Sequence, residues 1–159
     1  TTFAMDLKKW LQVMETYESG AHMYHTTLPT DALQRLQQAM LETEAYGFAK
    51  VREEQMALGS GVRALLREFG FASVAAPGFE APGVVVSYTT DPDIQNSKKF
   101  LAQGLQTAAG VPLQCDEPAG FSTFRLGLFG LEKWHNVERT LGHLRSALET
   151  VAPKQKLAA

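Results

Sequence analysis

"FSTFRLGLFG", residues 121–130, decides how this chain is read. In a β-strand, successive side chains point to opposite faces. Phe124, Leu126 and Leu128 would then face a core, while Thr123, Arg125, Gly127 and Phe129 face the other way. A guanidinium is almost never buried without a partner. Gly127, two residues along on the same face as Arg125, leaves space where a side chain would stand. A planar guanidinium with room in front of it suits a bidentate carboxylate. Three readings of Arg125 are open at this point. It receives the carboxylate of a ligand, it makes a structural ion pair with one of the chain's 17 acidic residues, or it is an edge arginine reaching for water along its aliphatic stem.

Working outward, "GVVVSYT" (83–89) and "SVAA" (73–76) are short and β-branched, set between Pro77, Gly78, Pro82 and Gly83, and read as strands. "AAGVPLQ" (108–114) is a further strand candidate. The remaining segments have helical period. Phe3, Leu7, Trp10, Met14 and Tyr17 form one apolar stripe. "ESGAHMYHTTLPTD" (18–31) reads as a loop, after which Thr30 or Asp31 can cap a helix bearing Leu33, Leu36 and Met40. Gly47 marks a break or bend. A near-heptad stripe follows, Phe48, Val51, Gln55, Leu58, Val62, Leu65 and Phe69, closed by Gly70. Asp91-Pro92 opens a helix expected to run to about Leu105. Trp134, Val137, Leu141, Leu144, Leu148 and Val151 mark the last helix, ahead of Pro153 and a frayed tail. The expected fold class is α+β: a small, mostly antiparallel sheet with helices packed on one face, preceded by an N-terminal helix and loop.

The composition is that of a globular protein: 159 residues, 45% hydrophobic and 20% charged. A net charge of −2 offers no basic field for nucleic acid or anionic lipid, and no run reaches the roughly 18 apolar residues of a membrane span. Neither a nucleic acid nor a membrane partner is expected. One cysteine, Cys115, allows no intrachain disulfide, and the cytoplasm is the expected compartment. Asp116 and Glu117 beside Cys115 disfavour a thiolate. His22 and His25 lack zinc-site spacing, and His135 and His143 read as surface residues of the last helix. "GSG" (59–61) follows no strand, so it is not a dinucleotide fingerprint.

"FRLGLFG" resembles the carboxylate-binding motif near the C-terminus of class V, fold type I aminotransferases, which depend on pyridoxal 5'-phosphate (PLP). The alanine–glyoxylate and serine–glyoxylate branch is the most similar. "FAMDLKKW" (3–10) is similar to the segment those enzymes carry after their cofactor lysine, and "MYHTTLP" (23–29) looks like a loop they reach across a dimer interface. The order of elements matches their C-terminal part along essentially the whole chain. The resemblance implies three segments: 1–30, a helix and loop leading from a large domain; 31–152, the small C-terminal domain; and 153–159, a tail. It implies that Arg125 binds the substrate α-carboxylate, and that Tyr24 and Thr27 donate to the PLP phosphate of the neighbouring subunit of a homodimer. It implies transfer of an amino group between alanine or serine and a keto acid such as glyoxylate or pyruvate. None of Lys8, Lys9, Lys50, Lys98, Lys99, Lys133, Lys154 and Lys156 matches the family's Schiff-base position. The chain alone is therefore expected to be inactive and to hold no PLP without its large domain. The alternative is a stand-alone α+β module that binds a small ligand or dimerises without catalysis.

Overall fold

A computed structural model describes residues 5–27 and 29–152. Phe3, Leu28 and the predicted tail 153–159 lie outside the described residues. The chain divides into two compact units, 1–42 and 43–159.

In the first unit, α1 (Leu7–Glu18) starts on Asp6, whose carboxylate accepts the Lys9 N–H at 3.0 Å. Val13 is its buried residue. The predicted stripe is present but largely uncovered: Leu7, Met14 and Tyr17 are exposed. α2 (Thr30–Tyr46), whose last four residues belong to the second unit, likewise carries no buried residue, and Leu33, Leu36 and Met40 are exposed along it. An apolar period makes a segment helical; burial also needs a surface to pack against.

The second unit holds the core. α2 ends at Tyr46, Gly47 takes φ +100°, and α3 (Phe48–Glu68) begins one residue later. Gly70, at φ +87°, turns the chain away from the end of α3. The sheet has order β1-β3-β2, with β1 (Val84–Tyr88) and β2 (Ala108–Ala109) both antiparallel to β3 (Thr123–Gly127). Phe124, Leu126 and Leu128 are buried, as the alternation predicts. They pack with Val85 against Leu58, Val62 and Leu66 of α3 and Leu144 and Leu148 of α7 (Val137–Val151). Phe124 is the centre of an aromatic group, 5.1 Å from Phe71 and 5.5 Å from Phe100 between ring centroids. The α+β class is thus as expected.

Three elements differ from the sequence reading. "SVAA" contributes only a single bridge, Ser73 to Ser87, flanked by the Tyr88 N–H to Ala72 and Val74 N–H to Val86 carbonyl bonds. Pro77-Gly78 follows at once and turns the chain before a ladder can extend. The helix opened by Asp91 breaks into α4 (Pro92–Gln95) and α5 (Lys98–Leu101), with Ser97 between them at φ +72°. The Asn96 side chain accepts the Lys98 N–H at 3.0 Å, which stands in for the bond a continuous helix would make. Trp134 sits in a separate turn, α6 (Leu131–Trp134), divided from α7 at His135–Asn136.

The "GSG" glycines of α3 serve packing. A Cβ on Gly59 would lie 2.7 Å from the Pro82 carbonyl oxygen, and one on Gly61 would lie 2.7 Å from Leu141 Cδ1. Gly61 faces a flexible side-chain tip, whereas Gly59 faces backbone. Gly59→Ala should therefore destabilise the fold by about 1–3 kcal/mol, and by more than Gly61→Ala, as read from urea midpoints at unchanged slope.

Asp91 caps α4 by accepting the Asp93 and Ile94 N–H groups, and it pairs with Lys99. The Lys99 ammonium, with those two N–H groups, holds the Asp91 carboxyl below its ordinary value of 3.8. A depressed carboxyl stabilises the fold fully above its unfolded titration and loses that contribution as pH falls through the folded one. Asp91→Ala should lower the melting temperature at pH 7, and the gap from the native protein should narrow steadily as pH drops below 3.8.

Candidate functional site

Arg125 lies on the middle strand, opposite Val86 on one side and Ala108 on the other. It is half-buried, and its Nε donates to the Ala109 carbonyl at 3.0 Å. Among the described residues the ion pairs are Lys99–Asp91, Arg139–Glu132 and Arg145–Glu68, and Arg125 belongs to none. Its charge is balanced by no carboxylate there, and β3 is not an edge. The internal ion pair is therefore not what the structure displays, and the arginine stands on the middle strand with its guanidinium open to solvent.

The face around Arg125 is apolar and partly open. Val84 and Val86 are half-buried and Tyr88 and Phe129 are exposed. The space expected at Gly127 is bordered by the Phe129 ring, 3.6 Å from where a Cβ would stand. Thr123 departs from the pattern: it shares this face yet is only 2% exposed. Gly110 causes this, since its N–H bonds to the Thr123 carbonyl at 2.9 Å and its Cα lies directly over that residue.

Tyr24 and Thr27 occupy the loop between α1 and α2, in the first unit, whereas Arg125 is in the second. Both are exposed, Tyr24 at 91%. They border an open cleft with Trp10, Val13, Tyr17 and Thr30. The loop is shaped from within by ring contacts, His25 edge-on to Trp10 at 5.0 Å and His22 to Tyr24 at 5.8 Å. Tyr24 and Thr27 thus project hydroxyl donors outward, a chemistry suited to phosphate oxygens.

The sequence reading missed a polar group at the Gly47 bend. The Tyr46 hydroxyl donates to the Glu54 carboxylate, 2.6 and 2.7 Å from its two oxygens. The Lys50 ammonium lies 4.3 Å from the Tyr46 ring centre, and the His135 ring stacks on it at 4.1 Å. Desolvation, followed by the Glu54 carboxylate, raises the Tyr46 hydroxyl's pKa. The four-residue steps from Tyr46 to Lys50 to Glu54 were the available signal. Cys115 is exposed. Glu117 closes its loop by accepting the Leu113, Gln114 and Cys115 N–H groups, and its own N–H together with these holds its carboxyl below the usual range.

Among the described residues no cluster of His, Cys, Asp and Glu could hold a metal ion, and no helix is long and apolar enough to cross a membrane.

No protein-family model matches the sequence, and no curated protein matches it significantly. Solved structures do resemble it. The chain superposes on alanine–glyoxylate aminotransferase from Nostoc sp. with a TM-score of 0.69 at 16% identity, over 89% of this chain and 36% of that one. It superposes on a subgroup IV aspartate aminotransferase from Thermus thermophilus with a TM-score of 0.61 at 18% identity, over 95% of this chain and 40% of that one. The chain therefore has the fold of a portion of these aminotransferases and spans less than half the length of either.

Proposed function

We propose that the chain is the small, C-terminal domain of a class V PLP-dependent aminotransferase, with residues 31–152 as that domain and 1–30 leading into it. The observation that carries the reading is Arg125: a guanidinium on the open face of an aminotransferase-like fold, with no carboxylate partner among the described residues. The substrates are a small amino acid, alanine or serine, and a keto acid such as glyoxylate or pyruvate. The working form is a cytoplasmic homodimer.

Arg125 grips the substrate carboxylate. A guanidinium presents paired donors that match both carboxylate oxygens, so it fixes the plane of the acid group as well as its position. Holding the acid group in register brings the Cα–H bond to the proton-accepting group and lowers the entropic part of the barrier. Tyr24 and Thr27 are the residues that fit the cofactor: exposed hydroxyls on one short loop, able to donate to the phosphate of PLP held by the neighbouring subunit. PLP, when bound, supplies the electron sink for amino transfer. The Schiff-base lysine belongs to the large domain, which this chain does not supply in this reading, so the chain by itself carries binding and not chemistry.

In the full-length enzyme, Arg125→Ala should raise KM for the amino donor at least tenfold, matching the roughly 1.5–3 kcal/mol of a hydrogen bond to a charged group. An unchanged KM removes Arg125 from the site. The 159-residue chain mixed with PLP and then borohydride should show no stoichiometric adduct at a single lysine by mass spectrometry. One such adduct would place the Schiff-base chemistry in this chain.

A further inference from the structure

We infer that Gly110 is the positioning residue that aims Arg125, through the Ala109 carbonyl, so that a carboxylate is met by the Nη1/Nη2 end of the guanidinium and not by its Nε side. This rests on the reading of Arg125 as the carboxylate receptor and adds the device that orients it.

The Arg125 Nε–H is already committed, 3.0 Å from the Ala109 oxygen. A guanidinium can engage a carboxylate by its Nη1/Nη2 end or by its Nε/Nη side. With Nε occupied, the side-on mode is closed, and the two Nη groups are left for the ligand. The Ala109 carbonyl is where it is because β2 lies close against β3. That strand has only two residues, Ala108 and Ala109, paired with Arg125 and Phe124. The ladder continues one step further through Gly110, whose N–H bonds to the Thr123 carbonyl at 2.9 Å. Its own carbonyl accepts from Gln95 Nε2 of α4 at 3.4 Å, a second tether.

Only glycine permits this approach. A Cβ at position 110 would fall 2.0 Å from the Thr123 carbonyl oxygen and 2.1 Å from Thr123 Oγ1. Of the glycines in the chain this is the tightest fit, and the obstruction is mainly backbone of the middle strand, which cannot swing aside. Any side chain here therefore lifts the 109–110 segment off β3. The Ala109 oxygen then leaves Arg125, and the guanidinium is free to rotate about its own stem. Gly110 acts on the ligand only through Arg125.

Two measurements test this. In ¹⁵N NMR of the chain, the Arg125 Nε–H, assigned by its absence in Arg125→Lys, should exchange slowly with water. In Gly110→Ala it should move to the position of solvent-exposed arginines. An Arg125 Nε–H that exchanges rapidly in the native chain overturns the inference whether or not Gly110→Ala folds. In the full-length enzyme, Gly110→Ala should raise KM for the amino donor about tenfold while kcat at saturation stays within about threefold. A purely structural role would instead lower melting temperature and active fraction and leave KM alone, and that result overturns the inference. Arg125→Ala measured alongside separates the two claims. If Arg125→Ala raises KM and Gly110→Ala does not, the aiming role falls alone; if Arg125→Ala leaves KM unchanged, the carboxylate reading falls and this inference with it.

Discussion

β3 is the strand on which the second unit depends, because it is the one hydrogen-bonded on both edges. Its inward side chains, Phe124 and Leu126, meet α3 and α7 in the core, and Phe124 is fully enclosed. Full burial of a phenylalanine or leucine contributes about 1.5–3 kcal/mol each, so this face fixes which way the strand turns. A slip of one residue would send Arg125 into that core and Phe124 out of it. Unpaired burial of the guanidinium is far more costly than any alternative packing could offset. The register of β3 is therefore held from both sides at once, and the outward position of Arg125 is a consequence of it. The same constraint gives β1 its inward Val85 and Ser87, which face Leu126 and Phe124 across the ladder.

Alternation made β3 legible in the sequence, and near-heptad spacing did the same for α3, where Leu58, Val62 and Leu65 are buried as the period implies. Asp91-Pro92 was equally plain, since a cap and a fixed φ act within a few residues. What failed were boundaries set by competing local bonds. Asn96 re-caps Lys98, and neither helical period nor apolar spacing reports such a bond. The stripes of α1 and α2 show a different limit. Leu33, Leu36 and Met40 are aligned as a packing face would be, but they remain exposed in this chain. Period describes a helix's own geometry and says nothing about what lies opposite.

The residues of the candidate site divide in the same way. Arg125 could be singled out because a charge in an apolar strand has few explanations, and Gly127 because it shares that face. Gly110 could not. Its significance lies in a contact with Thr123, 13 positions along the chain, and within "AAGVPLQ" it looks like any turn glycine. Tyr46 is similar: its spacing to Lys50 and Glu54 is visible, but the stack with His135 joins residues 89 positions apart. Tyr24 and Thr27 rest on resemblance alone, and the structure adds their exposure.

The two groups suited to anions, Arg125 and the Tyr24–Thr27 pair, belong to different compact units, and the proposed reading assigns each a different anion. A carboxylate and a phosphate on one ligand complex repel each other, and a single short patch of donors serves both poorly. Placing the guanidinium on a rigid sheet and the hydroxyls on a loop gives each anion its own support. The sheet suits the substrate, because an orienting contact loses its value if it drifts by even an ångström. The loop suits the phosphate, whose several acceptor oxygens tolerate donors from a range of directions. In the proposed homodimer the loop serves the neighbour's cofactor while the arginine serves its own subunit's substrate, so each active centre would need both chains. On the proposed reading, the chemistry of the two anions gives an exposed Tyr24 and a carboxylate-free Arg125 a common explanation.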